Sequence, residues 1–229
     1  MSVFGRMAEV AEPNMGGIVT ALEFQKGNKE RVNVYLDGAY AFGLPAVIAA
    51  THLRRGQVLS DAEIATLQAL DEQERAYEQA LRFLRYRPRS RAEVERYLQR
   101  KRFAEEVITR VMTRLQDAGY LDDEAFARFW VENRQHFRPR SRRALSVELR
   151  RKGVEQDIVH EVVSEQDDEE AAWQAVEARL SRWSALSQEQ LLRKLGDFLA
   201  RRGFHYETIR AVCRRARQAL RTDDIMNDS

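Results

Sequence analysis

The sequence predicts a mainly α-helical protein: tandem three-helix repeats in an elongated or curved array, preceded by a small N-terminal antiparallel β-sheet. Three observations carry that expectation. Apolar residues alternate with period two around an Asp-Gly turn early in the chain, as strands require. An apolar pattern with a period of about 50 residues then recurs three times. Serine followed three residues on by glutamate or glutamine opens several of the helical stretches.

Residues 1–15 read as a mobile lead, and 16–74 as a small sheet with helices. Ile18, Thr20, Leu22 and Phe24 are expected to line one face of a first strand, and Val32, Val34 and Leu36 one face of a second. Lys26-Gly27-Asn28-Lys29 turns the first into the second. Asp37-Gly38 supplies the positive φ angles of a two-residue hairpin, and Tyr40 and Phe42 begin a third strand. Such a sheet has no core of its own, so one face must pack on helices. Pro45 suits the first turn of a short helix, and Gly56 closes the loop that follows. Ser60 and Glu63 form a capping box opening a long helix to about Tyr86, which Pro88 ends.

The repeats are expected at 75–121, 122–167 and 168–221, with an acidic tail over 222–229. Aligning Lys101-Arg102-Phe103, Lys152-Gly153-Val154 and Arg202-Gly203-Phe204 brings the pairs Val94/Leu98, Leu145/Leu149 and Leu195/Leu199 into register, each at i, i+4. The next helix repeats as Ile108/Val111, Val159/Val162 and Ile209/Val212. Arg87-Pro88-Arg89-Ser90 recurs as Arg138-Pro139-Arg140-Ser141, with each serine placed as a helix cap and Glu93 completing a box for the first. The third copy keeps only Ser187 and Gln190 of this pattern. A unit of this size barely buries its own core, so neighbours should lean on one another.

The 229 residues are 32% charged, yet the net charge is only +2. That balance hides segregation. Arg82–Arg102 carries nine Lys/Arg against two Glu, and Arg134–Lys152 eight against one. Acids concentrate at Asp122-Asp123-Glu124, at 165–170, and at Asp223, Asp224 and Asp228. One cysteine, Cys213, excludes an internal disulfide and reads as a buried structural thiol. No apolar run approaches the roughly 18 residues of a membrane span, and the first residues lack a signal-peptide core. The expected location is the cytoplasm.

No phosphate loop, dinucleotide fingerprint or nucleophile elbow occurs. His52, His136, His160 and His205 are far apart, which argues against a metal site. Asp122 and Asp123 read as caps complementing a helix dipole rather than as Mg²⁺ ligands. Trp130, Trp173 and Trp183 sit at helical spacing from other apolar residues and read as core. No cofactor and no catalytic constellation is expected.

What remains is basic clusters at matching places in the repeats. Arg87, Arg89 and Arg91 surround the first repeat's turn; Arg138, Arg140, Arg142 and Arg143 surround the second's. Arg100, Lys101 and Arg102, then Arg150, Arg151 and Lys152, then Arg201 and Arg202 close the three middle helices. Solvated helix ends account for such clusters one at a time. Their recurrence suggests a stripe instead, and their richness in arginine suits forked bonding to phosphate or carboxylate. A nucleic-acid backbone or an acidic groove on a protein filament would fit it. Because DNA readers of the helix-turn-helix type are also three-helix units, direct binding of single-stranded DNA or RNA is the alternative.

Gly119-Tyr120-Leu121-Asp122-Asp123-Glu124-Ala125-Phe126-Ala127, Trp130-Val131, Arg134 and Leu149-Arg150-Arg151-Lys152-Gly153-Val154 resemble the central signature of the RecX family. Ala80-Leu81-Arg82-Phe83-Leu84 with Ser90-Arg91-Ala92-Glu93-Val94 fits its first repeat, and Tyr40-Ala41-Phe42-Gly43-Leu44 resembles the N-terminal segment of its longer members. The likeness covers about 17–217. It departs at Phe137-Arg138-Pro139, where many members carry glycine before the proline, and is weakest in the third repeat. The resemblance implies a regulator of the RecA recombinase. Such a protein lies in the groove of the RecA–single-stranded DNA filament and blocks ATP hydrolysis and strand exchange. The expected partners of this chain are that filament and single-stranded DNA, touched directly or through RecA, and the chain is expected to be a monomer.

Overall fold

The alternation and the caps resolve into four strands and ten helices among the described residues of a computed structural model, 16–183 and 186–227, without the side chains of 178, 181 and 220–227. The lead over 1–15, Asp228 and the side chains of Asp223 and Asp224 lie outside that description. The chain divides into two compact units. One takes residues up to Leu81 together with Lys101–Val111, the other Arg82–Arg100 together with Met112 onward.

In the first unit β1 (Gly17–Gln25), β2 (Asn28–Leu36), β3 (Ala39–Pro45) and β4 (Val58–Leu59) form an antiparallel sheet in the order β3-β2-β1-β4. Asp37 and Gly38 take φ of 49° and 85°, the double left-handed turn that the dipeptide predicts. Val32, Val34 and Leu36 face the core as expected. β1 follows its expected phase only in part. The register shifts between Val19 and Ala21, so Val19 is fully buried and Ile18 stands in solvent, while beyond the shift Leu22 packs against the core as expected and Phe24, at the hairpin end, is exposed. β4 is a further difference: two residues suffice to pair with Gly17 and Ile18, and they carry no alternation to read. Pro45 ends β3 and stands at the N-cap of α1 (Ala46–His52).

The buried face of the sheet packs on Ala49 of α1, on Leu53, and on Ile64 and Leu67 of α2 (Asp61–Leu84). The capping box at the start of α2 forms: Glu63 accepts from the Ser60 amide at 2.8 Å, and Ser60 Oγ from the Glu63 amide at 3.3 Å. Arg31 ties β2 to α2 through Asp71 at 2.8 Å.

The repeats continue as α3 (Arg91–Arg100) and α4 (Glu105–Asp117); α5 (Asp123–Phe137), α6 (Arg142–Arg151) and α7 (Gln156–Ser164); and α8 (Asp168–Trp183), α9 (Gln188–Ala200) and α10 (Tyr206–Asn227). α4 is shared by the two units, its residues to Val111 falling in the first. α10 runs past 221, where the third repeat was expected to end. The three i, i+4 pairs of the middle helices, Val94/Leu98, Leu145/Leu149 and Leu195/Leu199, are all completely buried. Each such leucine contributes roughly 1.5–3 kcal/mol of apolar burial.

The turn from middle to third helix places a left-handed residue at the same spot in every repeat: Arg102 (φ 63°), Gly153 (85°) and Gly203 (88°). Two demands act on the glycines. Besides the positive φ, a Cβ on Gly153 would stand 2.3 Å from Ala92 Cβ, and one on Gly203 2.9 Å from Ala144 Cβ. Glycine is needed where the turn touches the preceding repeat. The first repeat has no three-helix repeat before it, and there an arginine takes the left-handed conformation.

Candidate functional site

The joints between successive repeats in the second unit are made by the same side chains twice. Ser90 Oγ donates to the carbonyl of Lys152 at 2.6 Å, and Ser141 Oγ to that of Gly203 at 2.7 Å. Each serine oxygen also accepts at the start of its own helix, from the amides of Glu93 and Ala144. The first helical amide beyond each serine is met by an acid of the next repeat: Arg91 N–H by Asp123 at 2.8 Å and Arg142 N–H by Asp168 at 2.7 Å. Asp122 caps α5 through the Ala125 amide, as its position predicts, but its neighbour Asp123 serves the joint instead. Burial raises the Asp123 carboxyl, and the bond from Arg91 acts against that rise.

The two joints differ in charge. At the first, Glu93 lies between Arg87 at 3.0 Å and Lys152 at 2.8 Å. Burial would raise its carboxyl, but the hydrogen bonds and charges of Lys152 and Arg87 overcome that and hold it at about 2. At the second joint α6 has Ala144 where α3 has Glu93, three residues past the capping serine. Among the described residues Arg138, which stands where Arg87 does in the first repeat, has no ion pair.

The second joint instead opens into a cleft of about 740 Å³. Arg138, Arg140, Arg179, Arg201 and Arg202 line it with the rings of Phe137 and Phe198. Arg140 reaches Glu148 at 3.0 Å, and Glu148 also holds Arg134 and the Trp130 indole. Arg202 donates to the Pro139 carbonyl at 2.7 Å. Arg179 and Arg202 both stand over the Phe198 ring, 4.8 and 4.5 Å from its centroid. Arg202 has its proton affinity lowered by burial first, then by Arg138, Arg179 and Arg140. Among the described residues Arg138, Arg179, Arg201 and Arg202 have no ion pair.

Four of the fifteen basic residues expected to bind a partner are thus gathered here: Arg138, Arg140, Arg201 and Arg202. Arg87 and Lys152 meet at the first joint, where both pair with Glu93. Arg89 lies over Phe83 at 4.0 Å, and that ring stacks on Tyr97. Arg91 bonds Gln116, and Arg142 stands 3.9 Å from Asp168. Arg100, Arg143, Arg150 and Arg151 are exposed in the second unit, and Lys101 and Arg102 are exposed in the first. Arg179 was not anticipated, since it belongs to none of the recurring basic clusters and only the fold carries it to Arg138.

The tryptophans are packed as predicted: Trp173 is buried, Trp183 joins the third repeat's core, and Trp130 lies beneath Arg134 and Lys152. Cys213 packs against that third core, and burial pushes its thiol up. Among the described residues no helix is long and apolar enough to cross a membrane.

Serial three-helix repeats, stapled by recurring serine and aspartate bonds with a cationic cleft at one joint, define a tandem-repeat protein of one particular type. Residues 17–60 match the regulatory protein RecX N-terminal domain. Residues 76–115, 122–163 and 166–213 match the first, second and third three-helix domains of RecX. The chain is 33% identical to the regulatory protein RecX of Bacillus licheniformis over 92% of its own length and 79% of the relative's. It is 36% identical to that of Bacillus subtilis strain 168 over 85% and 75%. A crystal structure of a regulatory protein RecX superposes with a TM-score of 0.67, at 23% identity, over 85% of this chain and 98% of the other. RecX from Lactobacillus salivarius gives 0.57 over 65% and 99%, also at 23% identity. The chain belongs to the RecX family of regulatory proteins.

Proposed function

We propose that the protein regulates the RecA recombinase by binding the RecA–single-stranded DNA filament, in its groove, and inhibiting ATP hydrolysis and strand exchange. The observation that carries this reading is the family match to an N-terminal domain and three consecutive three-helix domains. The geometry supports it in two ways. Successive repeats joined by repeated bonds give an array able to touch more than one protomer of a polymer. Arginines gathered at the second joint offer charge to an acidic protein surface or to the strand the filament carries. The protein acts as a cytoplasmic monomer in homologous recombination and DNA repair. Its working modules are 75–121, 122–167 and 168–221, with 16–74 as a further domain. Inhibition requires that the array bind one state of the filament better than another, because a ligand with equal affinity for both shifts nothing.

Anisotropy of the labelled protein, titrated with a RecA-coated strand and with the bare strand, tests the reading. Tighter binding to the coated strand is expected. Equal affinity for the two, at every salt concentration, removes the recombinase from the account.

A further inference from the structure

The second joint gathers five guanidinium groups of which, among the described residues, only Arg140 has an ion pair, and the first joint shows what is missing. The first puts Glu93 between two cations. In the second, Ala144 stands at Glu93's place, and an arginine of another helix, Arg179, joins the group. Five guanidinium groups line one cleft, and the carboxylate that Arg140 meets, Glu148, is engaged by Arg134 and Trp130 as well. Like charges held together in a partly desolvated cleft favour a bound anion over water. Burial and the neighbouring guanidinium groups acting on Arg202 are consistent with such a vacancy of negative charge.

The surroundings indicate the anion's form. Phe137 is 75% exposed at the lip of the cleft, so one aromatic face is free to stack. A second concavity of about 450 Å³ shares Phe137, Arg179 and Arg202 with the first and adds the amides of Gln135 and Gln174. Two connected depressions that share guanidinium groups, with an exposed ring at their boundary, suit a chain of phosphates bearing bases better than a compact ion. Guanidinium forks match phosphate oxygens two at a time.

We propose that the cleft of Arg138, Arg140, Arg179, Arg201 and Arg202 is a phosphate-binding subsite for the backbone of a single nucleic-acid strand, with Phe137 as the stacking platform for a base. The inference rests on the reading of the protein as one that works on a DNA-bearing filament. Its test contains no recombinase, so failure of either reading shows separately.

The full chain is titrated into a fluorescein-labelled oligothymidylate of about 15 nucleotides at several salt concentrations. Arg138→Gln with Arg179→Gln removes two cations that have no ion pair among the described residues, and circular dichroism verifies the fold. A charge-matched control carries Arg54→Gln with Arg55→Gln, both exposed in the first unit. The double variant is expected to bind about tenfold more weakly, with a salt slope shallower by about 1.4, the value for two lost phosphate contacts on a single strand. Phe137→Ala should weaken binding about fivefold with the slope unchanged. The control should bind as the parent does. A folded Arg138/Arg179 variant with parental affinity and slope overturns the proposal, as does a control that loses as much. Displacement of the oligonucleotide by polyglutamate as effectively as by unlabelled DNA would assign the cleft to an acidic protein segment, and the nucleic-acid subsite would be wrong.

Discussion

The hydroxyl of Ser141 donates to the carbonyl of Gly203 at 2.7 Å, while the same oxygen accepts the amide that starts helix α6. One side chain therefore caps a helix and fastens the next repeat, and Ser90 does the same with Lys152. Ser141→Ala removes a cap and leaves a carbonyl at the joint unpaired, at a combined cost of about 2–3 kcal/mol. Ser187→Ala loses only the exposed capping box of α9 and should cost about 1 kcal/mol. Urea unfolding followed by tryptophan fluorescence reads both, since Trp130, Trp173 and Trp183 all lie in the second and third repeats. Equal losses would mean that the inter-repeat bond adds nothing.

Gly153→Ala and Gly119→Ala separate conformational strain from crowding. Both glycines have positive φ, at 85° and 73°. A Cβ on Gly119 meets nothing within 4 Å, whereas one on Gly153 runs into Ala92 at 2.3 Å. The Gly119 variant should lose about 1 kcal/mol to left-handed strain. The Gly153 variant should lose about 2–4 kcal/mol, because overpacking adds to that strain. Thermal melts of the two proteins provide the comparison, and indistinguishable melting points would contradict the close approach of the repeats.

The Glu93 ion trio makes the first joint sensitive to acid. Its folded carboxyl at about 2 lies below the ordinary 4.5, so its stabilisation is complete above the ordinary value and disappears as pH falls through 4.5 toward 2. With its partial exposure allowed for, the contribution is on the order of 2 kcal/mol. The stability gap between the parent and Glu93→Gln should therefore be constant above about pH 6 and close on acidification. Unfolding curves across that range check it; a gap that persists undiminished to pH 2.5 would deny Glu93 its charged role.

Much of this architecture was legible because the determinants are local. Val94/Leu98 and its two counterparts announce themselves by i, i+4 spacing, and Ser60 with Glu63 or Ser187 with Gln190 by a three-residue interval. The bulge that buries Val19 instead of Ile18 left no mark in the alternation, since a register shift inverts the phase without changing composition. The second duty of Ser90 and Ser141 was likewise hidden: a partner 62 residues away is set by packing, although recurrence of Arg-Pro-Arg-Ser did mark the place. Basic clusters were visible as runs, but which of them keep their charge was not. Glu93 engages both Arg87 and Lys152, and Arg179 reaches the cleft only because α8 packs beside the second repeat's turn.

That distinction directs charge reversal. Arg140 and Arg142 face Glu148 and Asp168, so reversing them would injure the fold as well as any interface. Arg138, Arg143 and Arg150 are exposed and have no ion pair among the described residues. Arg138→Glu, Arg143→Glu and Arg150→Glu together should leave unfolding within about 0.5 kcal/mol of the parent. The same variant should weaken binding to the RecA-coated strand at least tenfold. Anisotropy measures this loss, and parental affinity in the folded triple variant would place the contact elsewhere.

The most direct test of the account is to add the purified protein to RecA assembled on single-stranded DNA and follow ATP hydrolysis. A saturable fall in the rate is predicted, with the triple arginine variant requiring a much higher concentration. Hydrolysis that continues unchanged at several-fold excess of the protein over RecA would contradict it.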